Sequence, residues 1–82
     1  MEIQEKIKKF IADNILFSEN GYPYAVSDSF LEKGVVDSMN IMEIVAFVED
    51  EFSISVDDLE IVPANFDSVK NVTEFVERKT LN

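Results

Sequence analysis

Apolar side chains return every three or four residues in three separate stretches of this chain, and between the stretches the pattern fails. Ile3, Ile7, Phe10, Ile11 and Ile15 make the first set. Ile41, Ile44, Val45, Val48 and Phe52 make the second, and Val69, Val72, Phe75 and Val76 the third. That spacing puts each set on one face of a helix. The residues around Asn20-Gly21 lack the alternation that a hairpin would need. The expected fold is therefore all-α: a small bundle of three main helices plus one short one, with residues 1 to 82 forming a single domain. A domain this small buries a limited share of its surface, so the three stripes must supply most of its core.

Helix punctuation sets the boundaries. The first helix is expected over residues 2 to 17, since Asn20-Gly21 and Pro23 prevent it from running further. Residues 18 to 36 then read as a long loop, and loops of this length in compact domains usually carry function. Within it Phe30 and Leu31 form an isolated apolar pair, and at least one of them should pin the loop to the core. Gly34 can supply a backbone geometry that other residues resist. Asp37 is a favoured N-cap for the second helix, which should end near Phe52 with Ser53 and Ser55 beyond it. Residues 56 to 66 read as irregular with one short helical turn, which Pro63 could open. Asp67 or Ser68 can cap the last helix, and Arg78 and Lys79 suit its C-terminal dipole.

The charge is lopsided. Seventeen acidic residues face seven basic ones, for a formal net charge of −10. From Gly34 to Val69 there is no Lys or Arg, while Asp37, Glu43, Glu49, Asp50, Glu51, Asp57, Asp58, Glu60 and Asp67 all fall there. Such a chain repels nucleic acid and anionic membranes and attracts basic partners. A solvated acidic face is the plain explanation, but so long a cation-free segment favours a docking surface. No apolar run nears the roughly 20 residues of a membrane span. The opening MEIQEKIKKFIADNI is amphipathic and of mixed charge, unlike a signal peptide. A soluble, cytoplasmic, monomeric protein is expected.

Several chemistries are excluded. The chain has no histidine and no cysteine, which removes the usual base for a serine nucleophile, thiolate catalysis and the common zinc ligands. Two glycines cannot make a phosphate-cradling loop. The ligand spacing of a calcium loop is missing around Asp57-Asp58. Neither an enzyme nor a metal site is expected. Ser38, at the first turn of the second helix, is then either a local capping residue or an attachment point. Asp37 already serves as a cap, which leaves Ser38 free, and a phosphate on it would sit at the positive end of a helix.

The segment GVVDSMNIMEIVAFVEDEF, with Asp37-Ser38-Met39 at its centre, resembles the modification site and second helix of the acyl carrier protein family, which includes the peptidyl and D-alanyl carriers. The resemblance extends over nearly the whole chain, through the DSFLEKG approach and the final NFDSVKNVTEFV. It implies that a phosphopantetheinyl transferase moves 4′-phosphopantetheine from coenzyme A onto Ser38, flanked by Asp37 and Met39. The terminal thiol of that arm would hold an acyl or aminoacyl group as a thioester, so the chemistry is the cofactor's. The implied partners are that transferase, a loading ligase and acyl-transferring enzymes with basic docking surfaces. Met39, Met42, Glu43, Ala46 and Asp50 are the expected recognition residues: adaptable methionines beside the arm, ringed by carboxylates that steer the partner in.

The resemblance also raises the possibility of a bundle that opens to shelter an acyl chain, with Phe47, Val48, Phe66 and Phe75 as candidate lining or as ordinary core. Two features depart from the fatty-acid-synthesis pattern. Both Val35 and Val36 stand between Gly34 and Asp37, and the stretch DDLEIVPANFDSV is long. They favour a dedicated acyl or aminoacyl carrier, loaded by its own adenylating ligase, over a fatty acid carrier. The rival class is an acidic helical interaction module that never carries an arm.

Overall fold

A computed structural model describes residues 2 to 81. The three apolar stripes become α1 (Glu2–Asn14), α3 (Ser38–Phe52) and α5 (Val69–Thr80). Two four-residue helices, α2 (Phe30–Lys33) and α4 (Pro63–Phe66), and one 3₁₀ turn (Asp58–Glu60) occupy the connections. Among the described residues there is no strand.

The caps explain the boundaries. Asp37 accepts from the amides of Met39 and Asn40 at 3.0 and 2.9 Å, starting α3 where the sequence indicates. Ser53 ends it in the left-handed conformation, its amide bonded to the Glu49 carbonyl. Ser68, rather than Asp67, caps α5 by accepting from the Asn71 amide at 3.0 Å. Pro63 is the first residue of α4, where its missing N–H costs nothing. α1 stops earlier than Phe17. The amides of Ile15 and Leu16 both reach the Ile11 carbonyl and that of Ser18 reaches Ala12, so the last turn widens. Phe17 then turns the chain away at φ 52°.

The long loop is the main departure from the sequence reading, because it contains α2. Ser29 caps this helix by accepting from the Glu32 amide at 3.2 Å. Gly34 closes it at φ +66°, in the left-handed region that glycine occupies without a Cβ penalty. The apolar pair divides as its position on one helical turn dictates: Phe30 is fully buried and Leu31 is 63% exposed.

One continuous core joins these elements. Ile7 and Ile11 of α1, Ile44 and Val48 of α3, and Val69, Val72 and Val76 of α5 are all fully buried. Each such side chain contributes about 1.5–3 kcal/mol from burial. Val35 and Val36 are both buried as well, so the doubled valine ahead of Asp37 is packed into the core. α5 packs most extensively on α1 and α4, while α3 lies against α1 and α5. No helix among the described residues is long and apolar enough to cross a membrane.

Candidate functional site

Ser38 is the first residue of α3 and is exposed. Its neighbour Asp37 spends its carboxylate on the two following amides, and the Ile41 amide bonds the Asp37 carbonyl at 3.1 Å. The first turn is thereby satisfied without help from Ser38. Among the described residues the Ser38 hydroxyl takes no hydrogen bond, so it is a free group on a fixed backbone. Asp37 occupies two amides of the first turn, and the Ser38 amide is the one left without a partner.

Ser38 stands at the mouth of a cleft of about 260 Å³ between α3 and the region around α4. Ile41 and Met42 form the α3 side, with Ile61, Val62 and Phe66 opposite and Leu31 of α2 at the edge. The lining is mostly apolar, which suits an apolar ligand better than an ion. Of the four residues considered for a shelter, Phe66 alone lines this cleft. Val48 and Phe75 are buried core, and Phe47 lies on the other flank of α3, stacked on Phe10.

The wall opposite α3 depends on Asp67, which also borders the cleft. Its carboxylate accepts from the Ser29 hydroxyl at 2.6 Å and from the Leu31 amide at 3.2 Å. Its carbonyl accepts from the Phe30 amide at 2.6 Å. One residue after α4 thus fixes the start of α2, 36 to 38 positions away in the chain. The sequence alone suggests Asp67 only as a helix cap. Further along, Glu60 accepts from the Asp57 amide at 2.9 Å and from the Lys79 ammonium at 3.1 Å. These two bonds, the amide first, hold its carboxyl below the ordinary glutamate range. They tie residues 57 to 62 to α5.

The five expected recognition residues are all exposed along α3. Met42 belongs to the cleft beside Ser38. Glu43, Ala46 and Asp50 line an open groove on the opposite flank, between α3 and α1. Met39, 79% exposed, stands at the tip and lines neither. Consecutive residues point roughly 100° apart on a helix, so Met42 and Glu43 can face different neighbours. Leu31 and Val62 are absent from the sequence-derived set, yet both are exposed apolar residues at the cleft. Among the described residues no group of three or more carboxylates is placed to hold a metal ion.

No family model matches the chain. Curated relatives do, among them the following two. Both are named acyl carrier protein, one from Nitratidesulfovibrio vulgaris strain DP4 and one from strain Hildenborough. Each is 36% identical over 59 residues, covering 71% of this chain and 74% of the relative.

Proposed function

Because this chain belongs to the acyl carrier protein family, we propose that it carries acyl groups on a 4′-phosphopantetheine arm attached to Ser38. The chain is a carrier and not itself an enzyme. The observation that carries the proposal is the position of Ser38: an exposed hydroxyl with no competing hydrogen bond, on a rigidly capped helix, at the mouth of an apolar cleft. The arm would supply a thiol that holds the cargo as a thioester. The chain's own residues do the rest. Asp37 fixes the backbone on which Ser38 stands. Ile41, Met42 and Phe66 offer apolar surface to the arm or its cargo, and the helix dipole favours the phosphodiester anion. Asp37 has taken the best amides, so that electrostatic contribution is small.

The partners implied are a phosphopantetheinyl transferase, a loading ligase and acyl-transferring enzymes with basic docking surfaces. Met39, Met42, Glu43, Ala46 and Asp50 would meet them. A cytoplasmic monomer fits this use, since a shuttle must reach several enzymes in turn. As a second reading, the spacing of two residues, Val35 and Val36, between Gly34 and Asp37 resembles that of dedicated acyl or aminoacyl carriers loaded by their own adenylating ligase. The mass of the loaded protein isolated from its own cell decides between acyl and aminoacyl cargo.

The test of the arm is direct. Incubation with coenzyme A and a promiscuous phosphopantetheinyl transferase should add the mass of one phosphopantetheine. Ser38→Ala should abolish the gain while leaving the helical circular dichroism unchanged. No gain in the wild type with several such transferases would favour an unmodified acidic interaction module.

A further inference from the structure

Sulfur is confined to a few places in this chain. There is no cysteine, and the methionines are Met1, Met39 and Met42. Met1 lies outside the described residues. The other two stand one and four residues after Ser38, in the first turns of α3. Both thioethers are open to solvent, Met39 at 79% exposure and Met42 at 53%. Exposure leaves a thioether accessible to oxidants, and its product, a sulfoxide, is polar where the thioether was apolar.

The two sulfurs differ in what they face. Met39 lines neither the cleft nor the groove on the other flank. Met42 shares the cleft wall with Ser38. The two are four apart on one helix, so their side chains are neighbours, with Cβ atoms about 5–6 Å apart. Among the side chains that line the cleft, the Ser38 hydroxyl is the one hydrogen-bond donor. Leu31, Ile41, Ile61, Val62, Pro63 and Phe66 have none, and Asp67 contributes acceptors. A thioether accepts only weakly and leaves that hydroxyl free. A sulfoxide oxygen is a strong acceptor one helical turn away from it.

We propose that Met42 is a reversible oxidation switch for Ser38. Hydrogen peroxide supplies the oxygen. The sulfur lone pair attacks one peroxide oxygen, and the S–O bond forms as the O–O bond breaks. The attacked oxygen passes its proton to the departing hydroxide, which leaves as water. Sulfur loses two electrons and the peroxide gains them. The sulfoxide oxygen then accepts the Ser38 O–H, which occupies the hydroxyl and makes the mouth of the cleft polar. A methionine sulfoxide reductase reverses the step: two thiols become a disulfide, and the oxygen leaves as water. Oxidation of Met39 is silent at Ser38, because its sulfur lies outside the cleft. The effect on loading rests on the reading of Ser38 as the attachment point, whereas the hydrogen bond does not.

The test uses the full chain without an arm, since the arm's own thiol would also be oxidised. In a Met39→Leu background, peptide mapping after hydrogen peroxide should place an added oxygen on Met42, and a methionine sulfoxide reductase should remove it. Oxidation should lower the urea midpoint less in Met39→Leu than in the same variant carrying Ser38→Ala, which lacks the donor. Equal drops, or a Met42 that resists peroxide, would overturn the proposal whether or not Ser38 is ever loaded. With coenzyme A and a promiscuous transferase, oxidation should slow the phosphopantetheine mass gain roughly two- to tenfold in Met39→Leu, the range expected of one hydrogen bond. It should leave Met42→Leu unaffected, each variant being compared with its own unoxidised form. Equal slowing in the two variants, or none in either, would also overturn the switch. If the unoxidised chain gains no arm with any transferase, the attachment reading fails, and the unfolding comparison still decides the hydrogen bond.

Discussion

The two flanks of α3 are built from different materials. On the α1 side, a 13-residue helix and a 15-residue helix lock together through the Phe10–Phe47 stack and the Lys6–Glu51 pair. On the other side, the wall facing Ser38 consists of two four-residue helices and a 3₁₀ turn. Helices that short have no stability of their own, because nucleation costs more than so few hydrogen bonds return. Their positions depend on anchors: Phe30 in the core, Asp67 bridging to Ser29 and Leu31, and Glu60 bridging to Lys79. A cleft that admits a chain gains from a wall that can shift. The contrast also says where the molecule should open first.

The strongest way to break this contrast is to remove the core anchor of the soft wall. Phe30→Ala should cost about 3–5 kcal/mol, as expected for a fully buried phenylalanine. That is a large part of the roughly 5–15 kcal/mol available to a small domain. Its neighbour provides the control, since Leu31→Ala should change stability by less than about 0.5 kcal/mol. Urea unfolding followed by circular dichroism measures both. Similar effects at the two positions would mean that α2 is not pinned as described.

Asp67→Ala is the next largest perturbation. It leaves the Ser29 hydroxyl and the Leu31 amide without their acceptor, at a cost of about 1–3 kcal/mol. The loss should be local. Hydrogen exchange should quicken at Leu31 and the rest of α2 well before it quickens at Phe47. Uniform acceleration across both flanks would show that the two sides of α3 are not separable. A smaller effect is expected from Asp37→Ala, which removes the acceptor for two amides of α3 and should cost about 1 kcal/mol by urea unfolding. A loss near zero would mean that Ser38 takes over the cap and is not a free group.

Legibility in the sequence divides along the same line. α1, α3 and α5 are legible because their signals are local: a repeat of three and four, a capping Asp or Ser, and breakers beyond. α2 is not, because FLEK is too short to show a period and its support comes from Asp67, 36 positions after Leu31. The cap at Asp37 and the exposure of Met39 and Met42 can be read from the pattern on one helix. The separation of Met42 from Glu43, Ala46 and Asp50 cannot, because it depends on where α1 and α4 pack. The helical register alone places all five on one broad arc. Only the neighbouring helices divide that arc into a cleft and a groove.

The smallest expected effect concerns the far end of the soft wall and needs a difference measurement. Glu60 has its carboxyl held below the ordinary range by the Asp57 amide and then by Lys79. A group whose pKa falls on folding stabilises the fold fully above its unfolded value, ordinarily about 4.3. It loses that contribution as pH falls through the lower, folded value. Acid alone is a poor test, however. Protonating the other carboxylates also relieves the repulsion within a chain of net charge −10, which acts in the opposite direction. Glu60→Gln separates the two, because it leaves nearly all the repulsion in place and removes only the titration at this position. The wild type should be the more stable at neutral pH, and the gap between the two urea midpoints should narrow as pH falls below about 4.3. The same variant should loosen residues 57 to 62, which carry Ile61 and Val62 of the cleft, and leave hydrogen exchange at the Phe10–Phe47 stack unchanged. A gap that stays constant with pH would show that Glu60 contributes through shape and not through charge. The wall beside Ser38 would then be held by its apolar anchors alone.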